Sequence, residues 1–341
     1  PYVMVPISEI NDARRQAVNM LEEAILGHYS HPRIKDIEFK IPKTHELKAY
    51  KPDLTVSVDG LDELRAAISN GADRIIFGGS SFAHKHHSSN DYKQAIDLCH
   101  SNGVKIILNT SRILKDKQIN DLNKDLELTI YKPDAVAVGN LGMLHFMRQN
   151  YPQIPLHGEL SLNVFNSISA KYFQDLGLVG ITLSPELNLA QLKSLIKKLK
   201  IKSEIIVHGY LTLMISEYCI PGSFQGKLDS NKCCAPCLDN KYWLRDRKGE
   251  LFRIMTDQYC RMHILNSKEL NMAKHIPKLA QMGFNSLRIE AKGAGEVGVG
   301  KLTAMYRQLL TYGIDENLAG PSGYKLDEHK NITRGHYFRG V

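Results

Sequence analysis

LTVSVDGLDELRAAISNGADRIIFGG, residues 54–79, contains one complete repeat of the fold. LTVSV (54–58) and RIIFGG (74–79) are short runs rich in β-branched residues, and 61–69 between them is an amphipathic helical segment. SNGAD ends that segment on Gly71, the left-handed stop that turns a helix back onto a sheet. The rhythm then repeats. VKIILNT (104–110), AVAVGN (135–140), IPLHGEL (154–160), LVGITLS (178–184), EIIVHGY (204–210) and SLRIEAKG (286–293) are further strand runs. Helical segments are expected at 92–101, 119–128, 141–150, 167–175, 189–199 and 268–281, with the glycine stop recurring in SNGVK, DLGLVG and QMGFNS. Strand–helix alternation implies right-handed crossovers and a parallel sheet. Eight such strands count out a TIM-type (β/α)8 barrel. A doubly wound sheet would want a G-x-G-x-x-G turn after its first strand, and VDGLDEL has one glycine.

Two stretches break the rhythm. From about Ser8 to Gly27, the residues Ile10, Ala13, Ala17, Met20, Leu21, Ala24 and Ile25 recur at helical spacing, with Ser8 as N-cap and Gly27 just past the end. GHYSHP (27–32) and a mixed segment through KPDL follow, so residues 1–50 read as an N-terminal helix and linker, and 51–341 as the barrel. The second break runs from about 210 to 270, in the connection after strand seven, where a βα loop normally takes a few residues. A long connection on the C-terminal face of a barrel is where function is normally built.

The 341 residues are 43% hydrophobic and 23% charged, which suits one large globular domain with an appendage. No apolar run reaches the roughly 18 residues of a membrane helix, and the start lacks a signal-peptide pattern, so no membrane association and a cytoplasmic location are expected. The chain begins with Pro rather than Met, which suggests part of a longer, multi-domain protein. A net charge of +8 permits contact with RNA without requiring it.

Six cysteines stand at 99, 219, 233, 234, 237 and 260, five of them in the long connection. Without a secretory signal, clustered thiolates suggest metal rather than disulfides. Cys219, Cys233 or Cys234, Cys237 and Cys260 make a four-thiolate set, with Pro221, Gly222, Gly226 and Pro236 supplying turns around it. Spacing alone leaves zinc and an iron–sulfur cluster both open, because each accepts four thiolates.

HGYLTLMISEYC (208–219), CCAPC (233–237), YWLRDRKGELF (242–252) and YCRMHILNSKEL (259–270) resemble the peptidase U32, or collagenase-like protease, family. GELSLNVFNSISA (158–170), LRIEAKG (287–293) and TRGHYFRG (333–340) do so too, and the likeness covers about 54–341. The N-terminal NDARRQA helix resembles that of the longer multi-domain members. The resemblance implies a TIM-type barrel. It implies proteolysis by name, whereas better-understood relatives are iron–sulfur proteins supporting hydroxylation of tRNA uridine, ribosomal RNA cytidine or a ubiquinone precursor. The relatives' first cluster cysteine follows H-G-x-x, where this chain has Thr212; the next two match Cys219 and Cys233, and a later one matches Cys260. Cys237 matches a cysteine of some branches and restores the count to four. The resemblance therefore tips the cofactor toward a 4Fe-4S cluster, with zinc as alternative.

For peptide hydrolysis the sequence has no G-x-S-x-G and no H-E-x-x-H. His84, His86 and His87 follow the second strand and read either as solvated loop residues or as mouth residues. Polar groups at strand ends are better pocket candidates: Asn109, Asn140, Glu159, Asn163, His208, Glu217 and Glu290, with Glu159, Asn163, His208, Glu217 and Glu290 as the catalytic set. Arg245, Arg247, Arg261, Arg288 and Lys292 are the candidates for binding a phosphate or acidic group, against an ordinary solvated face or internal ion pairs. Three functions are expected in order: RNA nucleoside hydroxylation, metal-dependent peptide hydrolysis, and a zinc-stapled assembly module.

Overall fold

The computed structural model describes residues 3–30, 41–46, 51–84, 86–227, 233–313 and 331–339. Part of the linker expected between GHYSHP and KPDL lies outside them. The chain divides into two units, Pro1–Lys40 and Ile41–Val341. Among its described residues, the first holds one helix, α1 (Ile7–Tyr29), with no buried residue. Ser8 and Gly27 lie inside α1 rather than at its ends, and Pro6 and Ser30 take the cap positions. Pro6 already has the fixed φ that precedes a helix, and one interior glycine costs only about 1 kcal/mol.

The second unit begins before the expected boundary, since His45 N donates to Lys197 O at 2.8 Å. Its first seven strands are β1 (Asp53–Val58), β2 (Arg74–Gly78), β3 (Lys105–Asn109), β4 (Ala135–Val138), β5 (Leu156–Gly158), β6 (Leu178–Thr182) and β7 (Lys202–Gly209). They pair in chain order, all parallel. An insertion carries β8 (Thr212–Ser216), β9 (Tyr242–Arg245), β10 (Leu251–Thr256), β11 (Met262–Leu265) and β12 (Glu269–Asn271). Then β13 (Ser286–Glu290) pairs parallel with both β7 and β1 and closes the barrel, while β14 (Ile332–Thr333) pairs with β12. All eight strand runs read from the sequence are barrel strands. The outer layer holds α2 (Leu61–Ser69), α3 (Ser89–Ser101), α4 (Asp116–Leu126), α5 (Leu128–Tyr131), α6 (Leu141–Asn150), α7 (Ser167–Asp175) and α8 (Leu189–Ile196). Short polar side chains start several of them: Ser88 accepts from Asp91 N, Asn166 from Ser169 N and Asn188 from Gln191 N.

In the insertion, α9 (Ile220–Phe224) and α10 (Pro236–Asp239) are single turns, and a four-stranded antiparallel sheet forms in the order β8-β11-β10-β9. Ile254, Met262 and Ile264 make its small core, with Ile220, Tyr242, Leu244 and Phe252 packed around them. The helix expected at 268–281 is corrected. Leu270 pairs antiparallel with Gly209, so the chain returns to β7 as strand β12, and α11 (Ile276–Ala280) starts only where Pro277 can open it. The expected helix 119–128 is likewise split by Glu127, which is left-handed at φ 37°. After β13, α12 (Gly295–Tyr312) packs on α2 and β1.

A candidate active-site mouth beneath a cysteine-bearing roof

A cavity of about 170 Å³ sits at the C-terminal ends of the barrel strands. Ser57, Asn109, Glu159, Arg288, Glu290 and Lys292 form its floor and walls. Its roof is the insertion sheet, through Thr212, Ile215, His263 and Leu265. Asn109 Oδ1 and Arg288 Nε are buried there with no hydrogen-bond partner among the described residues, as expected of groups that await a polar ligand.

The cavity floor rests on a column of buried charge. Side chains alternate along a strand, so Arg288 and Glu290 of β13 both face inward. Arg288, 2% exposed, donates from Nη1 to Glu159 Oε1 at 2.6 Å, lies 3.5 Å from Glu204 Oε1, and pairs through Nη2 with Glu290. Deeper in, Arg74 Nη1 stands 3.9 Å from Glu204 Oε2, and Thr182 Oγ1 donates to Glu204 Oε1 at 3.0 Å. Burial alone would raise the Glu204 carboxyl, but His157, Arg288 and Arg74 outweigh it and hold the group below its ordinary range. Glu290 goes the other way: burial pushes it up, the Glu159 charge adds to this, and Arg288 opposes. A carboxyl with an elevated pKa at a barrel mouth is suited to donating a proton. Glu204, Arg74 and His157 escaped the sequence reading. The signal available was a carboxylate and an arginine set at the starts of otherwise apolar strands.

The structure scatters the remaining candidates. Asn163 is left-handed (φ 51°) and exposed at the end of a short 3-10 turn, apart from Glu159. His208 turns outward, with Nδ1 3.0 Å from Tyr306 Oη on α12 and Nε2 3.2 Å from Glu269. Asn140 caps α6 by accepting from Met143 N. Lys292 donates to the carbonyls of Gly78 and Ser80, tying the β2 exit to the β13 exit. Arg245 and Arg247 are exposed on the insertion. Arg261 is 2% exposed and fully engaged: Nε with Glu217 at 2.8 Å, Nη1 with Ile113 O at 2.7 Å and Nη2 with Gln118 at 2.9 Å. Glu217 also accepts from Lys115 Nζ at 3.0 Å, and these two cations hold its carboxyl below the ordinary range. Arg261 and Glu217 thus pin the insertion to the β3–α4 connection.

The three adjacent histidines go to three places. His84 Nε2 contacts Thr256 and lies 3.6 Å from Cys237 Sγ. His86 packs edge-on to Tyr259 at 5.1 Å, and His87 is buried 3.8 Å from Asp59.

The cysteines gather in the insertion. Gly222 N donates to Cys219 Sγ and Ala235 N to Cys233 Sγ, both at 3.4 Å. A Cβ on Gly222 would stand 3.4 Å from Cys219 Sγ and 3.5 Å from Cys233 Sγ, so the two sulfurs flank that glycine. Asp257 shapes the turn that presents Cys260: its Oδ1 accepts from Tyr259 N and Arg261 N, its carbonyl accepts from Cys260 N, and Cys260 is left-handed at φ 58°. Burial first, and then the charges of Cys219, Cys237 and Cys233, push the Cys260 thiol up; burial does the same to Cys219, with Gly222 N opposing. Cys234 faces away, its Sγ 3.7 Å from Gln225 O. Of the two adjacent cysteines, Cys233 is the one whose sulfur shares the Gly222 flank with Cys219.

The model of Peptidase family U32 matches residues 59–338. Among curated proteins, the chain is 26% identical over 303 residues to tRNA hydroxylation protein P of Helicobacter pylori, covering 84% of this chain and 72% of that protein. It is 28% identical over 279 residues to 23S rRNA 5-hydroxycytidine C2501 synthase of Escherichia coli, covering 80% of this chain and 40% of that protein. A Collagenase of Porphyromonas gingivalis is 21% identical, covering 76% of this chain and 65% of that protein. A solved structure, the U32 peptidase Mk0906, is similar at a TM-score of 0.38 and 14% identity, over 53% of this chain and 74% of that one.

Proposed function

This chain belongs to peptidase family U32, and we propose that it supports hydroxylation of a nucleoside in RNA, in the cytoplasm, with an iron–sulfur cluster on Cys219, Cys233, Cys237 and Cys260. One observation carries the reading. The same small sheet roofs the barrel-mouth cavity and, in the turn between β10 and β11, bears Cys260. A redox centre on these thiolates would stand beside a polar pocket. The relatives named for tRNA and rRNA hydroxylation agree with it.

The donor set fits such a group. Gly222 N and Ala235 N donate to Cys219 Sγ and Cys233 Sγ, and Cys237 and Cys260 would complete four ligands. Among the described residues, no three His, Cys, Asp or Glu side chains are close enough to share one metal ion. Zinc would need the four thiolates on one ion, whereas a multi-iron centre would take each on its own iron, and metal analysis separates the two. Bound there, the cluster supplies single-electron transfer. The chain's own residues do the rest. Asn109 Oδ1 offers an acceptor to an amino or imide N–H of a base, Arg288 fixes the carboxylates around it, and Glu290 presents a proton at the mouth.

The test is anaerobic purification followed by iron and sulfide analysis. A brown protein absorbing near 400 nm is expected. Cys237→Ala should lose iron, and Cys234→Ala should keep it. A colourless product with stoichiometric zinc would sink the cluster. Peptide hydrolysis is the second reading, favoured by the thiol–imidazole contact of Cys237 with His84 and by the Collagenase relative. It gains if iron-free protein cleaves gelatin and loses that activity in both Cys237→Ala and His84→Ala.

A further inference from the structure

The RNA reading leaves open how a nucleic acid approaches a roofed cavity, and the underside of the roof sheet answers it. Register places Trp243 opposite Arg253, Arg245 opposite Leu251, Met255 opposite His263, and His263 opposite Ile215. Because strand side chains alternate, these residues share one face. Its inner end is fixed: His263 and Ile215 line the cavity, and Met255 lies against Gly293 of the β13 exit. At its outer end Trp243 is 49% and Leu251 47% exposed, with Arg245 exposed beside them. The opposite face is the apolar one, where Tyr242, Leu244, Phe252, Ile254, Met262 and Ile264 pack together.

Tyr210 connects the two ends. It lines the cavity and is 38% exposed. Arg253 is close enough for its charge to oppose the rise that burial and Glu269 impose on the Tyr210 hydroxyl. A track therefore leads out of the cavity through Tyr210, Arg253, Trp243 and Arg245. Strands β9 and β10, YWLR and LFRIMT, contain no acidic residue. Aromatic surface alternating with guanidinium groups is what unpaired RNA requires. Bases stack on the rings, the cations meet phosphates, and neither demands a sequence.

We propose that this face, Trp243 with Arg245, Arg253 and Tyr210, is a single-stranded RNA platform that stacks a base flanking the one delivered to the cavity. The inference rests on the RNA reading above and adds the surface that holds the strand. A base stacked on Trp243 sets the spacing between the held nucleotide and the reacting one. The geometry thus favours a loop or an unpaired stretch over a duplex.

Trp243 is the chain's single tryptophan, so its emission reports on this face alone. Anaerobically purified protein is titrated with a fluorescein-labelled RNA hairpin carrying a uridine-containing loop, following RNA anisotropy, and with the unlabelled hairpin, following tryptophan emission. The fully paired duplex and polyglutamate serve as comparisons. Emission is expected to be quenched in step with hairpin binding. Trp243→Ala should weaken binding about tenfold and Trp243→Phe much less. Arg253→Ala should reduce the slope of log affinity against log salt by about one. Hairpin binding with no change in emission and no loss in Trp243→Ala overturns the platform while leaving the RNA reading standing. Equal quenching by polyglutamate also overturns it, reducing the face to a generic basic patch. No hairpin binding at all removes the RNA reading, and the platform with it.

Discussion

The barrel interior and the insertion both crowd ionisable side chains together, and they neutralise them in opposite ways. Inside the barrel, Arg74 and Arg288 are shared among Glu159, Glu204 and Glu290, so the buried carboxylates meet opposite charge from neighbouring strands, and Glu290 is pushed up. In the insertion, burial first, with the charges of neighbouring cysteines adding to it, pushes the Cys219 and Cys260 thiols up. Among the described residues, Gly222 N donates to Cys219 Sγ, Ala235 N donates to Cys233 Sγ, and His84 Nε2 lies 3.6 Å from Cys237 Sγ. The barrel answers its buried carboxylates with guanidinium groups from its own strands; the insertion keeps its two shifted thiols neutral, and the cluster proposed above would supply the cationic charge that draws their protons off. The apolar support differs in the same sense. The barrel has one large cluster of buried residues and a second of Ile76, Ile107, Ala135 and Ala137, whereas the insertion sheet rests on a cluster of three.

If the barrel's charges complete one another, removing the central cation should have the largest effect. Arg288→Ala takes the guanidinium from Glu159 and Glu290, leaves Glu204 with Arg74 alone, and is expected to cost about 3–5 kcal/mol in chemical denaturation. A loss below about 1 kcal/mol would mean that water reaches the column, and the contrast with the insertion would fail. Next in size is Glu204→Gln, which keeps the Thr182 hydrogen bond but loses the charge, at about 2 kcal/mol near neutral pH. The pH dependence has a definite sign. Glu204 titrates below its ordinary value in the folded state, so its contribution is complete above that value and fades as pH falls through the folded one. Wild-type melting temperature should therefore drop more steeply than that of Glu204→Gln on acidification. Parallel curves would show that Glu204 does not carry this part of the acid limb.

The barrel was legible because its signals are local and repeated. LTVSV, RIIFGG and their successors announce strands, and a glycine stop precedes several of the returns. The column was harder to see. Arg288 and Glu290 could be flagged as two inward positions of one strand, but Glu204 and Arg74 sit on other strands, and only closure of the barrel brings them together. The insertion was legible in its chemistry and opaque in its architecture. Cysteine spacing identified the thiols, yet YWLR and LFRIMT are short, and a sheet in the order β8-β11-β10-β9 depends on pairing across a long excursion. The same blindness placed His208 in the mouth. Glu204 and His208 share one parity along β7, but the register shift that passes from Ile206 to His208 opposite β13 breaks the alternation and turns the ring to Tyr306 on α12.

The smallest effect belongs to the seam between the two regions. Glu217 is about half exposed, and it bridges Arg261 of the insertion to Lys115 of the β3–α4 connection. Arg261 itself is buried but keeps Ile113 O and Gln118 when the carboxylate is neutralised. Glu217→Gln should therefore cost about 1 kcal/mol or less, because solvent already screens the charge. The difference from wild type should shrink further in 0.5 M salt, where screening acts within about 4 Å. Denaturation curves of the two proteins at low and high salt measure both effects. A cost rivalling that of Arg288→Ala, unchanged by salt, would place this tether with the barrel's buried charges and move the boundary between the self-sufficient region and the dependent one into the insertion itself.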